Sequence, residues 1–274
     1  MRTLGSREYK LMLRPSKFKG DEARLLETAN QLWQDLASII VPYAIVVSGT
    51  EEVAPHKRRQ IRFLDTQDRW LNSNNYVVRE RVDVEKNERQ VTLKFRHPDR
   101  YISQDRDMAP ADGYKKDMKF EQDIKPPFQA VYSYSSNALV KEDTPLATLQ
   151  DIEEIFPGLS NAAAEFPKDE KLSEVGNFTA YERTIRGTSF QIRKDPETSA
   201  VCSVTLWYAS EEDDKLLLAE FSFTYEDAKE AYSAKMAGRA YGAFIAIQEK
   251  LGDWIDPKAK TKTEYVYSRR TAGW

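Results

Sequence analysis

Arg79 and Arg81, Lys94 and Arg96, Glu121 and Asp123, and Glu8 and Lys10 are pairs of ionic residues separated by a single position. Side chains two apart on a β-strand point to the same side. Each pair would therefore place two charges on one face. Val78, Val82, Leu93, Phe95, Phe120 and Ile124 supply the opposite, apolar face. Glu220 and Ser222 alternate with Phe221 and Phe223 in the same way, and Lys262 and Glu264 repeat the spacing. One such strand is an ordinary solvated sheet face. Six of them, mixing both signs, predict a closed sheet with an ionic lumen and a covered outside.

Arg79, Arg81, Lys94, Arg96, Arg183 and Lys262 would converge on that lumen from different strands. The planar guanidinium fork matches phosphate oxygens, and lysine supplies a compact charge. Several such groups around one cavity suit a triphosphate or a short polyphosphate. Lys10 would bind phosphate or orient Glu8. Carboxylates do not bind phosphate, so Glu8, Glu121, Asp123 and Glu220 need another role. A hard divalent cation, Mg²⁺ or Mn²⁺, provides one, because Mg²⁺ takes one or two carboxylates beside substrate phosphates and waters. Such an ion can also activate an attacking water. Glu8, Glu220 and Lys10 are thus the expected catalytic residues, and Glu8, Glu121, Asp123 and Glu220 the expected metal ligands. Phosphoryl transfer asks mainly for positioning and charge stabilisation, which this set offers.

The elements that would position these residues follow from periodicity. Alternation predicts strands at 6–13, 60–65, 76–84, 90–97, 118–124, 180–193, 201–208, 216–225 and 262–267. Leu25, Leu26, Ala29, Leu32, Trp33, Leu36 and Ile40 predict a helix over 21–40, with Asp21 as its N-cap. A second long helix is expected over 226–251, and a short one near Leu149–Phe156, stopped by Pro157 and Gly158. The basic run Lys57-Arg58-Arg59 reads as a solvated loop. The fold class expected is α+β: an antiparallel barrel of about eight strands with a charged interior and helices packed outside. It would form a single domain over 1–274, with 98–116 and 125–178 as loop or helical insertions.

Composition narrows the partners. Lys plus Arg number 41 and Asp plus Glu 44 in 274 residues, for a net charge of -3. That balance argues against binding to double-stranded nucleic acid. Cys202 is the only cysteine, and His56 and His97 are the only histidines, too few for a cysteine or histidine metal centre. No apolar run is long enough to cross a bilayer, and the first residues lack the apolar segment of a secretory signal, so a cytoplasmic protein without a membrane partner is expected.

Together these residues resemble the CYTH domain, the triphosphate tunnel metalloenzyme family. Ser6-Arg7-Glu8-Tyr9-Lys10 is similar to the family's Glu-x-Glu-x-Lys opening, and Phe63-Leu64-Asp65-Thr66 to its next stretch. Tyr76–Arg81, Thr92-Leu93-Lys94, Phe120–Asp123, Tyr181–Thr184, Ala219–Ser222 and Thr261–Tyr265 follow in the family's order. The resemblance implies that Tyr181–Thr184 carries an inward arginine, Arg183. It also implies a tunnel of antiparallel strands that binds triphosphates with a divalent metal. Family activities are hydrolysis of inorganic, thiamine or nucleoside triphosphates and adenylyl cyclisation. Ser6 and Ser222 depart from the pattern, standing where the family has glutamates that are expected metal ligands. The leading expectation is metal-dependent hydrolysis of a triphosphate-containing small molecule. The rival is a module that keeps the basic cage and has lost turnover, with adenylyl cyclisation the less favoured third reading.

Overall fold

A computed structural model describes residues 2–49, 55–212, 215–227, 229–231 and 233–269. Its strands are β1 (Ser6–Leu13), β2 (Val47–Ser48), β3 (Pro55–Thr66), β4 (Tyr76–Asp83), β5 (Glu88–His97), β6 (Asp117–Lys125), β7 (Gln129–Val140), β8 (Leu172–Glu174), β9 (Ala180–Lys194), β10 (Glu197–Tyr208) and β11 (Leu216–Glu226). Its α-helices are α1 (Glu22–Ile40), α2 (Trp70–Ser73), α3 (Arg100–Gln104), α4 (Leu149–Ile155), α5 (Ala234–Lys250) and α6 (Lys262–Ser268).

Nine strands close into a barrel in the order β9-β10-β11-β1-β6-β7-β5-β4-β3, with β3 pairing back onto β9; β2 and β8 are short additions outside the ring. The β1–β6 seam is parallel and the others are antiparallel. The expected α+β barrel of about eight strands is thus a closed ring of nine, antiparallel except at the β1–β6 seam. Closure leaves no free edge along the ring, and the period of two then sorts side chains cleanly into lumen and exterior.

The apolar exterior is covered in two places. Over β9, β10, β11 and β1, the stripe Leu25, Ala29, Leu32, Trp33, Leu36 and Ile40 of α1 packs with Met236, Ala240, Phe244 and Ile247 of α5 against Phe190, Val204, Leu206, Phe221, Phe223, Tyr9 and Leu11. Asp21 caps α1, accepting a hydrogen bond from the Arg24 amide at 3.0 Å. At Gly187 of β9 a Cβ would lie 2.3 Å from the Trp33 ring, so only glycine lets α1 come this close. Over β4, β5, β6 and β7, residues Leu149, Ile152, Ile155, Phe156 and Leu159 cover Val78, Val91, Leu93, Phe95, Phe120 and Tyr134. Each fully buried aliphatic or aromatic side chain contributes about 1.5–3 kcal/mol. A third cluster at one end joins Val266 and Tyr267 of α6 to Ile61, Phe63, Trp207 and Leu218.

Three expectations about elements are corrected. Residues 125–178 are not simply an insertion, because β7 lies inside them and pairs with both β5 and β6. Its inward residues, Ser135 and Asn137, are polar but uncharged, so it lacks the ionic alternation of its neighbours. Residues 262–267 form α6 rather than a strand. Thr261 and Glu264 make a reciprocal capping box, a local helix-start signal that outweighs the short alternation. Lys57-Arg58-Arg59 belongs to β3, which begins at Pro55. No helix among the described residues is long and apolar enough to cross a membrane.

Candidate anion-binding site

The lumen holds a cavity of about 310 Å³. Glu8 and Lys10 reach it from β1, Arg79 and Arg81 from β4, and Lys94 and Arg96 from β5. Lys119, Glu121, Asp123 and Lys125 reach it from β6, Glu182 from β9, Glu220 from β11, and Lys262 from the first turn of α6. Parity on the strands accounts for the convergence: these strand residues occupy alternate positions, and intervening residues such as Tyr9, Val78, Leu93, Phe120, Ile124 and Phe221 lie in the outer cores.

Arg183 is the exception among the expected site residues. It lies outside the barrel, with its guanidinium over the Tyr208 ring and an Nη donating to the Glu211 carbonyl at 3.1 Å. Glu182, one position earlier, is the inward residue. A one-residue offset moves a strand side chain to the other face. The sequence reading also missed Arg59 and Lys57, which line the lumen where β3 starts.

The lumen charges are organised in pairs. The Lys10 ammonium stands 2.9 Å from Glu8 and 3.0 Å from Asp123. Lys94 lies 3.4 Å from Asp123 and 3.6 Å from Glu121. Lys262 lies 2.8 Å from Glu220, and Arg59 lies 3.5 Å from Glu182. Asp123 also accepts from Ser133 Oγ at 2.7 Å, and Glu182 from the Trp207 indole at 2.9 Å. Burial alone would raise Asp123, but Lys10, Lys94 and Arg96 hold it well below the usual carboxylate range. Glu8 behaves likewise: burial opposes ionisation, and Lys10 outweighs it. Burial would also depress Lys10, yet Asp123, Glu8 and Glu220 raise it above its ordinary value.

Arg79 and Arg81 have no such compensation. Neither makes an ion pair with a described carboxylate within 4.0 Å, and the buried Nε of each has no hydrogen-bond partner. Burial, then Arg81, pushes the Arg79 guanidinium well below its ordinary range. Burial pushes Arg81 down to about 10 despite help from Glu182. Arginine does not lose its proton in proteins, so the lumen carries uncompensated positive charge, which a bound anion would neutralise.

The expected metal ligands are tested by the same pairs. Glu8, Glu121, Asp123 and Glu220 each have a lysine ammonium within 3.6 Å. Lys10 bridges Glu8 and Asp123, where a shared divalent ion would have to sit. Ser6 meets Glu121 at 3.3 Å and Ser222 meets Ser203 at 3.2 Å, so the two substituted positions present hydroxyls instead of carboxylates. Among the described residues no group of three His, Cys, Asp or Glu side chains could hold a metal. The donor set does not fit a resident Mg²⁺ or Mn²⁺.

No family model and no curated protein matches the sequence. Solved structures similar to this chain include HpAC1 of Hippeastrum, a proposed adenylyl cyclase reported with a dominant triphosphatase activity (13% identity, 96% of this chain and 95% of that one, TM-score 0.45). A proposed adenylate cyclase of Bacillus halodurans is similar at 14% identity over 97% of this chain and 100% of that one, TM-score 0.39. One from Vibrio parahaemolyticus is similar at 10% identity over 96% and 98%, TM-score 0.35. This chain is a closed, ion-lined β-tunnel, an architecture consistent with the CYTH fold that its ordered motifs resemble.

Proposed function

We propose that the tunnel takes up the triphosphate group of a small phosphorylated molecule and cleaves a phosphoryl group from it. The observation that supports uptake is the pair of guanidiniums, Arg79 and Arg81, left without counter-ions inside a lumen whose carboxylates are matched. In this reading Arg79, Arg81, Lys94 and Arg96 hold phosphate oxygens, and Lys10 and Lys262 close around the terminal group. Positive charge fixed in the lumen also stabilises the charge that spreads over phosphate oxygens as a phosphoryl group transfers. In this reading Glu8, ionised beside Lys10, receives the proton of an attacking water.

A second reading, in which the tunnel holds its ligand without cleaving it, is favoured by the lysine pairing of every expected catalytic carboxylate and by Ser6 and Ser222. One assay separates the two. Purified protein is incubated with inorganic triphosphate and with nucleoside triphosphates, in chelator and in Mg²⁺ or Mn²⁺, and phosphate release is measured. Release above the level of an Arg79→Met variant supports hydrolysis. Saturable binding without release supports the holding module. A cyclic nucleotide with pyrophosphate would mean a cyclase, and no binding at all would overturn both readings.

A further inference from the structure

Among the described residues, eight Lys or Arg and five Asp or Glu side chains line the lumen cavity, so cations are in excess before any ligand enters. Each of the five carboxylates already has a fixed cation beside it. The parallel seam sets Glu8 next to Asp123, and the ammonium of Lys10, two positions along β1 from Glu8, reaches both at 2.9 and 3.0 Å. Lys94 joins Asp123 and Glu121 in the same way, at 3.4 and 3.6 Å. Lys262 stands against Glu220, and Arg59 against Glu182. An ammonium carries three donors on one compact charge, so it can link two carboxylates as a small cation would.

The neighbouring oxygens add no acid. Ser6 donates to Glu121 at 3.3 Å, Ser203 and Ser222 meet at 3.2 Å, and Thr205 and Thr224 continue that wall. Mg²⁺ sheds its water reluctantly and is held through carboxylates together with substrate phosphates. A divalent ion carried in on a ligand would find no lumen carboxylate without a counter-charge among the described residues. It would share the cavity with Lys10, Lys94, Arg79 and Arg81. Repulsion between like charges is stronger in a buried site than in water. Complexation also cancels two negative charges on the ligand and occupies phosphate oxygens that Arg79 and Arg81, each with an unpartnered Nε, would otherwise meet.

Resting on the triphosphate reading, we infer that the tunnel binds its phosphorylated ligand as the metal-free anion. Lys10, Lys94 and Lys262 take the place of a divalent ion, and Mg²⁺ in solution withholds the ligand instead of bridging it to the protein. Lys10 is the residue that closes the Glu8–Asp123 pair to a metal.

Calorimetric titration of the whole protein with inorganic triphosphate tests this at constant ionic strength, in two buffers. One contains chelator, and the other enough Mg²⁺ to complex about nine-tenths of the triphosphate. A site open only to the free anion sees about one-tenth of the ligand, so the apparent Kd should weaken by about tenfold in Mg²⁺. Lys10→Met bares Glu8 and Asp123, so its Kd in Mg²⁺ should lie within about threefold of its own value in chelator, whatever affinity it loses in both buffers. A wild-type Kd in Mg²⁺ within about threefold of the chelator value, or a tighter one, would overturn the inference and leave the triphosphate reading standing. A full tenfold weakening in Lys10→Met would overturn the role given to Lys10. Absence of binding to wild type in both buffers would overturn the triphosphate reading itself.

Discussion

Lys262 and Glu220 meet at 2.8 Å inside the tunnel, one from the first turn of a helix and the other from the middle of a barrel strand. Glu220 is 5% exposed. The contact ties the α6 plug to the barrel wall and neutralises a carboxylate that sits among apolar strand neighbours.

Removing one partner should therefore cost more than removing both. Lys262→Met leaves Glu220 buried without a counter-charge and should lower unfolding free energy by about 3 kcal/mol. Adding Glu220→Gln to it should recover part of that loss. Urea denaturation of wild type, both single variants and the double variant measures the coupling. Additive losses would show that the two side chains do not act as a pair.

Acid should loosen the tunnel through Glu8 and Asp123. Both carboxylates titrate lower in the fold than in the unfolded chain, where such groups sit near about 4. Their contribution is complete above that value and is lost as pH falls through the depressed folded values. Lys10 has the opposite sign. Its folded value is raised, so its contribution is complete below about pH 10 and is lost above that. Denaturation at pH 7 and at pH 3 should show the acid loss, and Asp123→Asn should be less stable at pH 7 with a smaller further loss at pH 3. An unchanged acid loss in Asp123→Asn would remove Asp123 from this role.

Because lysines already occupy the carboxylates, the protein alone should not gather a divalent ion. Electron paramagnetic resonance of free Mn²⁺, titrated with ligand-free protein, should show no saturable one-to-one depletion in the submicromolar to micromolar range. Such depletion, abolished by Asp123→Asn, would show that the ammonium of Lys10 yields to metal and that the donor set fits after all.

The tunnel was legible in the sequence because ionic and apolar residues alternate on strands such as Thr92–Phe95 and Met118–Ile124, and a charged lumen is the arrangement that buries both apolar faces at once. What escaped has physical causes. On Tyr181–Thr184 both parities carry a charge, so alternation alone cannot choose between Glu182 and Arg183; the outer contact of Arg183 with Tyr208 decides it. Lys57 and Arg59 were hidden because Arg58 between them is also charged and pairs with Glu22 outside the barrel, leaving no apolar partner face to reveal the strand. β7 was hidden because its lumen-lining residues, Val131, Ser135 and Asn137, carry no charge. Lys262 was placed correctly in the lumen but on the wrong element, since capping chemistry at Thr261 and Glu264 was read as strand alternation. The pairing of lysines with the carboxylates depends on which strands become neighbours, and no local pattern encodes that.

Thermal and urea unfolding of Arg79→Met, with and without inorganic triphosphate, tests most directly whether Arg79 is a buried charge awaiting an anion. Replacing an uncompensated guanidinium by an apolar side chain of similar length should raise stability in ligand-free buffer by about 1–3 kcal/mol. Triphosphate at a hundredfold excess over its Kd should stabilise wild type by about 2.7 kcal/mol and the variant far less. A variant less stable than wild type in buffer, or one still stabilised by triphosphate as strongly as wild type, would contradict that role.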